Sequence, residues 1–315
     1  MNLKEIHTVY FVGIGGIGMS AIARYFAANG KKIAGYDKTP SKITKELERL
    51  GVAINFEDVL QNILPAFLDK AHTLVVYTPA VSENHTQLNY FLAQQFTVLK
   101  RAEILGKITE NTYCLAVAGT HGKTTTSSIL GHIMATANAT SFLGGIAENY
   151  HSNLILGGTE ISVVEADEFD RSFLQLSPNI ACVTSMDADH LDSYESPDAL
   201  TDSFIAFSEK VSGTLIVAKG LPLKGLTYAI DASADYRAFN LRIESGSCIF
   251  DAQTPTSKIE NISFELPGRH NIMNALAAIA MADVYGISLE NIKKCLGTFK
   301  GCLLYTSDAA DDPAS

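Results

Sequence analysis

Residues 119–126, GTHGKTTT, constrain this chain more than any other stretch. They follow the apolar run Tyr113–Ala118, which reads as a buried strand, and precede Ser127–Met134, whose apolar spacing suits a helix. Strand, glycine turn, lysine, hydroxyl and helix form the layout of a loop that cradles phosphate. Gly119 and Gly122 let backbone N–H groups approach phosphate oxygens. Lys123 is placed to neutralise β- and γ-phosphates, and the Thr124 hydroxyl to face a magnesium ion. Thr120, His121 and Thr125 belong to the same candidate nucleotide site. The loop is short: the position five before Gly122 is Val117, where the standard motif has glycine. A polar turn with an incidental Gly-Lys-Thr is the plainer alternative.

A second glycine turn lies near the N-terminus. Ile6–Val12 reads as a strand, Gly13, Gly15 and Gly18 satisfy G-x-G-x-x-G, and a helix is expected to about Asn29, with Gly30 closing it. Lys31–Tyr36 reads as the next strand, ending at Asp37. This is a pyrophosphate site at a helix start, Gly16 included, with a carboxylate placed for a ribose hydroxyl. The motif by itself leaves three readings open: a UDP-type ligand, NAD, or a tight turn without ligand.

Strands at Thr73–Tyr77, Ile161–Glu165, Ile180–Ser185 and Thr214–Ala218 alternate with helical spacing at Ser41–Leu50, Gln87–Gln94, Arg101–Ile108 and Asn271–Val284. Tyr228–Phe264, richer in turns and alternation, reads as a small β excursion. Alternation of this kind predicts α/β architecture with parallel sheets. A Rossmann-like domain is expected over 1–107 and a P-loop-type α/β domain over 108–301, with 105–112 as linker.

Three further clusters carry chemistry. Glu165 ends an apolar strand, where an open α/β sheet places its ligands, and is a candidate for magnesium. Asp167, Glu168 and Asp170 are weaker candidates, and a solvated acidic loop is the alternative. His190, in DADHLD at 187–192, falls at another such strand end and is a further candidate, with a structural or solvated histidine as the alternative. His270, Asn271 and Asn274 open a helix. Asn271 and Asn274 share one face, where their amides are suited to a purine edge or to simple capping.

Composition narrows the classes. The 315 residues suffice for two domains, 47% of them are apolar, and the net charge of −10 argues against a nucleic-acid partner. Five scattered cysteines form no CxxC pair, which fits a reducing cytosol better than a disulfide scaffold or a zinc site. No leader and no apolar stretch of membrane-spanning length is read, and oligomeric state is not legible.

Taken together and in order, GIGGIGMS at Gly13–Ser20, GTHGKTTT at Gly119–Thr126, EADEFDRSF at Glu165–Phe173, DADHLD at Asp187–Asp192 and LPGRHNIMNA at Leu266–Ala275 resemble the Mur ligases of peptidoglycan synthesis. The resemblance implies an ATP-dependent cytoplasmic ligase that joins L-alanine to the lactyl carboxylate of UDP-N-acetylmuramate through an acyl phosphate. It implies UDP binding at the first loop (Gly13, Gly15, Gly16, Gly18, Asp37) and ATP at the second. Lys123, Glu165 and His190 become the catalytic group, Thr124, Glu165 and His190 the magnesium ligands, and His270, Asn271 and Asn274 the adenosine contacts. A related ligase that adds a recycled murein tripeptide, an NAD-dependent oxidoreductase and a non-catalytic nucleotide-binding fragment are the rivals. After Gly301 the sequence departs from the family pattern. Residues 302–315 are therefore expected to be a non-native, disordered tail standing where a third domain would begin.

Overall fold

The computed structural model describes residues 3–187, 197–244 and 246–304. The chain divides into two compact units, the first ending at Leu105 and the second running Gly106–Leu304.

In the first unit, β1 (Thr8–Val12), α1 (Ile17–Ala28), β2 (Lys32–Tyr36), α2 (Lys42–Arg49), β3 (Ala53–Asn55), β4 (Thr73–Tyr77), α3 (Thr86–Ala93), β5 (Thr97–Lys100) and α4 (Arg101–Thr109) alternate along the chain. The sheet order is β3-β2-β1-β4-β5, all parallel. Val9, Tyr10, Phe11 and Val12 of β1 are fully buried, as are Leu74, Val75 and Val76 of β4. Central parallel strands covered on both faces need such continuous apolar runs. Helix α2 starts with a reciprocal Ser41–Thr44 capping box. Asn29 ends α1 and Gly30 follows at φ +75°. The division between units falls inside α4, so the first half of the expected linker is helical.

The second unit contains β6 (Tyr113–Ala118), α5 (Lys123–Met134), β7 (Thr140–Ala147), β8 (Ser152–Ile155), β9 (Ile161–Glu165), β10 (Ile180–Val183), α6 (Pro197–Glu209), β11 (Thr214–Ala218), β12 (Leu226–Ile230), β13 (Tyr236–Glu244), β14 (Ser247–Gln253), β15 (Lys258–Phe264), α7 (Arg269–Tyr285), α8 (Leu289–Leu296) and β16 (Cys302–Leu304). Its sheet runs β15-β14-β13-β12-β11-β10-β6-β9-β7-β16, with β8 also on β7. Strands β7 through β13 along this order are parallel, and β8, β14, β15 and β16 add antiparallel edges. Cys114 to Ala118 of β6 are fully buried at the centre.

The expected β excursion is present as an extension of the main sheet, with β12 and β13 paired in parallel and the hairpins carried onward from them. Two expectations are corrected here. Strand β10 stops at Val183, two residues early: Thr184 still donates its N–H to Ala118 O at 2.9 Å, while its hydroxyl and that of Ser185 bind the glycine loop. The chain past Gly301 is ordered for three residues more than expected: Cys302–Leu304 pairs with Gly145–Ala147. Residues 305–315 of the expected tail lie outside the described residues, as do Asp189, His190, Leu191 and Asp192.

Candidate functional site

The glycine loop of the second unit sits at the C-terminal edge of β6, between the ends of β9 and β10. That position follows from topology: β6 is central, and the helix after it must turn back over the sheet. Gly119, at φ +132°, lies so close to Thr184 and Ser185 that a Cβ there would overlap them. Thr184 Oγ1 donates to His121 O at 2.5 Å, the His121 N–H to Ser185 Oγ at 2.8 Å, and Thr120 Oγ1 to Asp187 O at 3.1 Å. One side of the loop is thus held by residues after β10. Gly122, at φ +80°, precedes the first turn of α5, where no side chain caps the N–H groups. An uncapped helix start is suited to an anion.

Lys123 and Thr124 turn toward β9. Parallel register sets Val117 opposite Glu165, which brings that carboxylate beside the loop. Thr124 Oγ1 donates to Glu165 Oε1 at 3.0 Å, and the Gly144 N–H and Ser127 Oγ donate to Oε2 at 3.0 and 3.4 Å. Burial pushes the Glu165 carboxyl above its ordinary range, against the opposing pull of Lys123 and these donors. Hydroxyl and carboxylate oxygens at this spacing are the donor set a small hard divalent cation takes, and its charge would offset the cost of ionising Glu165. Lys123 Nζ pairs with Glu168, at 2.7 Å from Oε2 and 3.0 Å from Oε1, and donates to Gly119 O at 2.7 Å.

Helix α7 brings the third cluster to the same loop. A cleft of about 650 Å³ is lined by His121, Gly122, Thr125, His270, Asn271 and Asn274, with Tyr228 and Lys300 also on its wall. Asn271 Nδ2 donates to Pro267 O at 2.7 Å. Asn274 packs directly on Gly122, so the two asparagines differ in role although they share a face: one steadies its own helix start, the other the loop.

In the first unit, Gly13 (φ +88°) makes the turn after β1, and its N–H donates to Tyr36 O at 2.8 Å. Gly16 precedes α1, whose first turn carries no side-chain cap and no acidic residue. Asp37 follows β2 directly, but its Oδ2 accepts the Gly15 N–H at 2.6 Å, inside the loop it was expected to assist from beside. Gly18 touches the Arg101 side chain. A cleft of about 580 Å³ is lined by Gly13, Gly16, Asp37, Asp58, Thr78 and His85.

The sequence reading missed Ser127, Gly144 and Thr184, and gave Glu168 only a weak metal role. The Gly144-Gly145 pair was a legible signal, since glycine inside a strand marks a close approach. A Cβ at Gly145 would stand 2.9 Å from Thr124 Cγ2 and 2.7 Å from Leu303 O.

These features define a two-unit α/β protein with glycine loops at the sheet edges, each opening a helix start suited to an anion. Residues 117–282 match the Mur ligase middle domain, and residues 8–113 match the catalytic domain of the Mur ligase family. The chain belongs to the Mur ligase family. It is 57% identical over 305 residues to a UDP-N-acetylmuramate–L-alanine ligase of Flavobacterium psychrophilum, covering 96% of this chain and 68% of the relative. A Flavobacterium johnsoniae relative of the same name is 55% identical, with the same shares covered. The crystal structure of the UDP-N-acetylmuramate-alanine ligase of Thermotoga maritima superposes with a TM-score of 0.83 at 27% identity, over 94% of this chain and 69% of that one.

Proposed function

We propose that this chain serves an ATP-dependent ligase that joins L-alanine to the lactyl carboxylate of UDP-N-acetylmuramate, a step in making peptidoglycan precursors. One observation carries the reading: Lys123 and Thr124 at the edge of β6 face Glu165 and Glu168, in a chain 57% identical to a relative named for that reaction.

A free carboxylate is a poor acyl donor, because its leaving group would be oxide. Transfer of the ATP γ-phosphoryl group to it gives an acyl phosphate, and attack by the alanine amine then expels phosphate. The protein contributes position and charge. In this reading the α5 N-terminus and Lys123 hold phosphates, and His270, Asn271 and Asn274 line the adenosine side. The Gly13–Gly18 loop with Asp37 receives the UDP portion. Thr124 and Glu165 would hold magnesium, with His190 assigned by family resemblance, and the ion supplies charge neutralisation at phosphate oxygens. Among the described residues no helix is long and apolar enough to cross a membrane. All five cysteines are free thiols, which agrees with our placing the reaction in a reducing cytoplasm.

The test is ADP release with UDP-N-acetylmuramate and either L-alanine or the murein tripeptide. Release that depends on L-alanine is expected. Release that depends on the tripeptide reassigns the amine substrate, and nucleotide binding with no release in either case leaves the chain a nucleotide-binding protein.

A further inference from the structure

The Lys123 ammonium has three donors, and the protein uses each of them. It donates to Gly119 O at 2.7 Å, to Thr120 O at 3.4 Å, and to the Glu168 carboxylate, whose oxygens stand 2.7 and 3.0 Å away. The two side chains are 14% and 5% exposed, so water screens the pair weakly. The two carbonyls belong to the glycine loop and travel with it. Glu168 belongs to another segment. It follows β9 by three residues and leads into the irregular stretch Phe169–Gln175, where Asp170 and Arg171 adopt φ of 51° and 53°. Non-glycine residues in that left-handed region are strained, and the Arg171 and Phe173 N–H groups donate to Glu168 O and Asp167 O at 3.0 and 2.9 Å, so the backbone here is held and any exchange at Lys123 is made by the Glu168 side chain.

A phosphate oxygen reaches Lys123 Nζ only by replacing one of these acceptors. Of the three, Glu168 alone carries a full negative charge that also repels the phosphate. We propose that Glu168 is a positioning residue that competes with bound phosphate for Lys123, holding the ammonium while the loop is empty and retaking it as the nucleoside diphosphate leaves. This inference rests on the nucleotide reading of the loop and deepens it. Glu168 contributes no metal ligand in this account. It converts nucleotide binding into an exchange of one ion pair for another, and it speeds product release at the expense of affinity.

The experiment measures the dissociation constant and off-rate of a fluorescent ADP analogue by stopped flow. It uses the wild-type chain, E168Q and E168D, with thermal unfolding of each nucleotide-free protein. E168Q is expected to bind about tenfold more tightly, chiefly through a slower off-rate, while the empty protein loses stability. E168D, with a shorter reach, is expected between the two. A purely structural Glu168 would lower affinity and stability together, so unchanged or weaker ADP binding in E168Q overturns the proposal. If E168Q does not fold, E168D decides by the same criterion. Absence of ADP binding in the wild-type chain overturns the nucleotide reading and this inference with it, whereas wild-type binding without tightening in the variants overturns this inference alone.

Discussion

The Thr124 hydroxyl donates to Glu165 Oε1 at 3.0 Å, tying the first turn of α5 to the end of β9. The two residues are 41 positions apart in sequence. Adjacent parallel strands on the central β6 are what bring them into contact. In the function proposed above, this hydroxyl and carboxylate would share a cation. Replacing Thr124 with Val keeps the shape and removes the oxygen. We expect turnover to fall about a hundredfold, with the magnesium requirement shifted to higher concentration, and Thr124→Ser to recover most of it. Steady-state ADP release against magnesium concentration measures this, and a Val variant with wild-type turnover would remove Thr124 from the site.

Glu165 also predicts a pH dependence. Its folded-state carboxyl titrates above the ordinary range because of burial. Between the ordinary value and the raised one, the folded chain holds a proton that the unfolded chain has lost. That contribution to stability is complete below the ordinary carboxylate range and disappears as pH rises through the raised value. With divalent cations chelated, the urea midpoint should therefore decline across this window in the wild-type chain, and Glu165→Gln should flatten the decline. Equal slopes in the two proteins would contradict the assignment.

Gly122 bears two separable constraints. Its φ of +80° disfavours any L side chain, and a Cβ would stand 2.5 Å from Asn274 Oδ1. Gly30, at φ +75°, has nothing within 4 Å of the same position. Gly30→Ala should lose about 1–2 kcal/mol of stability from backbone strain alone. Gly122→Ala should lose that and also displace Asn274, weakening ADP binding about tenfold or more. Urea titration and ADP binding of both variants test this. Unaltered ADP affinity in Gly122→Ala would mean that the loop and α7 are not read together by the nucleotide.

Asp37 belongs to the cleft of the first unit, where its carboxylate accepts the Gly15 N–H. Asp37→Ala should raise the KM for UDP-N-acetylmuramate about tenfold, the loss of one or two charge-assisted hydrogen bonds, and leave the ADP dissociation constant unchanged. A change in ADP affinity with an unchanged KM would move Asp37 out of the sugar-nucleotide site.

Legibility followed locality. The run Cys114–Ala118 announces a central strand because both faces are covered, and the glycines after β1 and β6 announce helix starts open to anions. These are properties of a few consecutive residues. The partner of Lys123 is not such a property: Glu168 lies 45 positions away, and an acidic stretch with several carboxylates gives no local sign of which one faces an ammonium. Strands β7, β8 and β16 were missed for a related reason. Gly144-Gly145 interrupts the β pattern of one, and a three-residue strand such as Cys302–Leu304 exists only because an edge is available to pair with.

By itself the sequence determined the alternation of strands and helices, the two glycine turns and the identity of the charged groups, because periodicity and backbone freedom are written residue by residue. Only the tertiary structure decided which carboxylate meets the lysine, that Asp37 turns into its own loop, and that β10 ends early to brace Gly119. Those outcomes depend on strand order and register, and on competition for a limited number of donors.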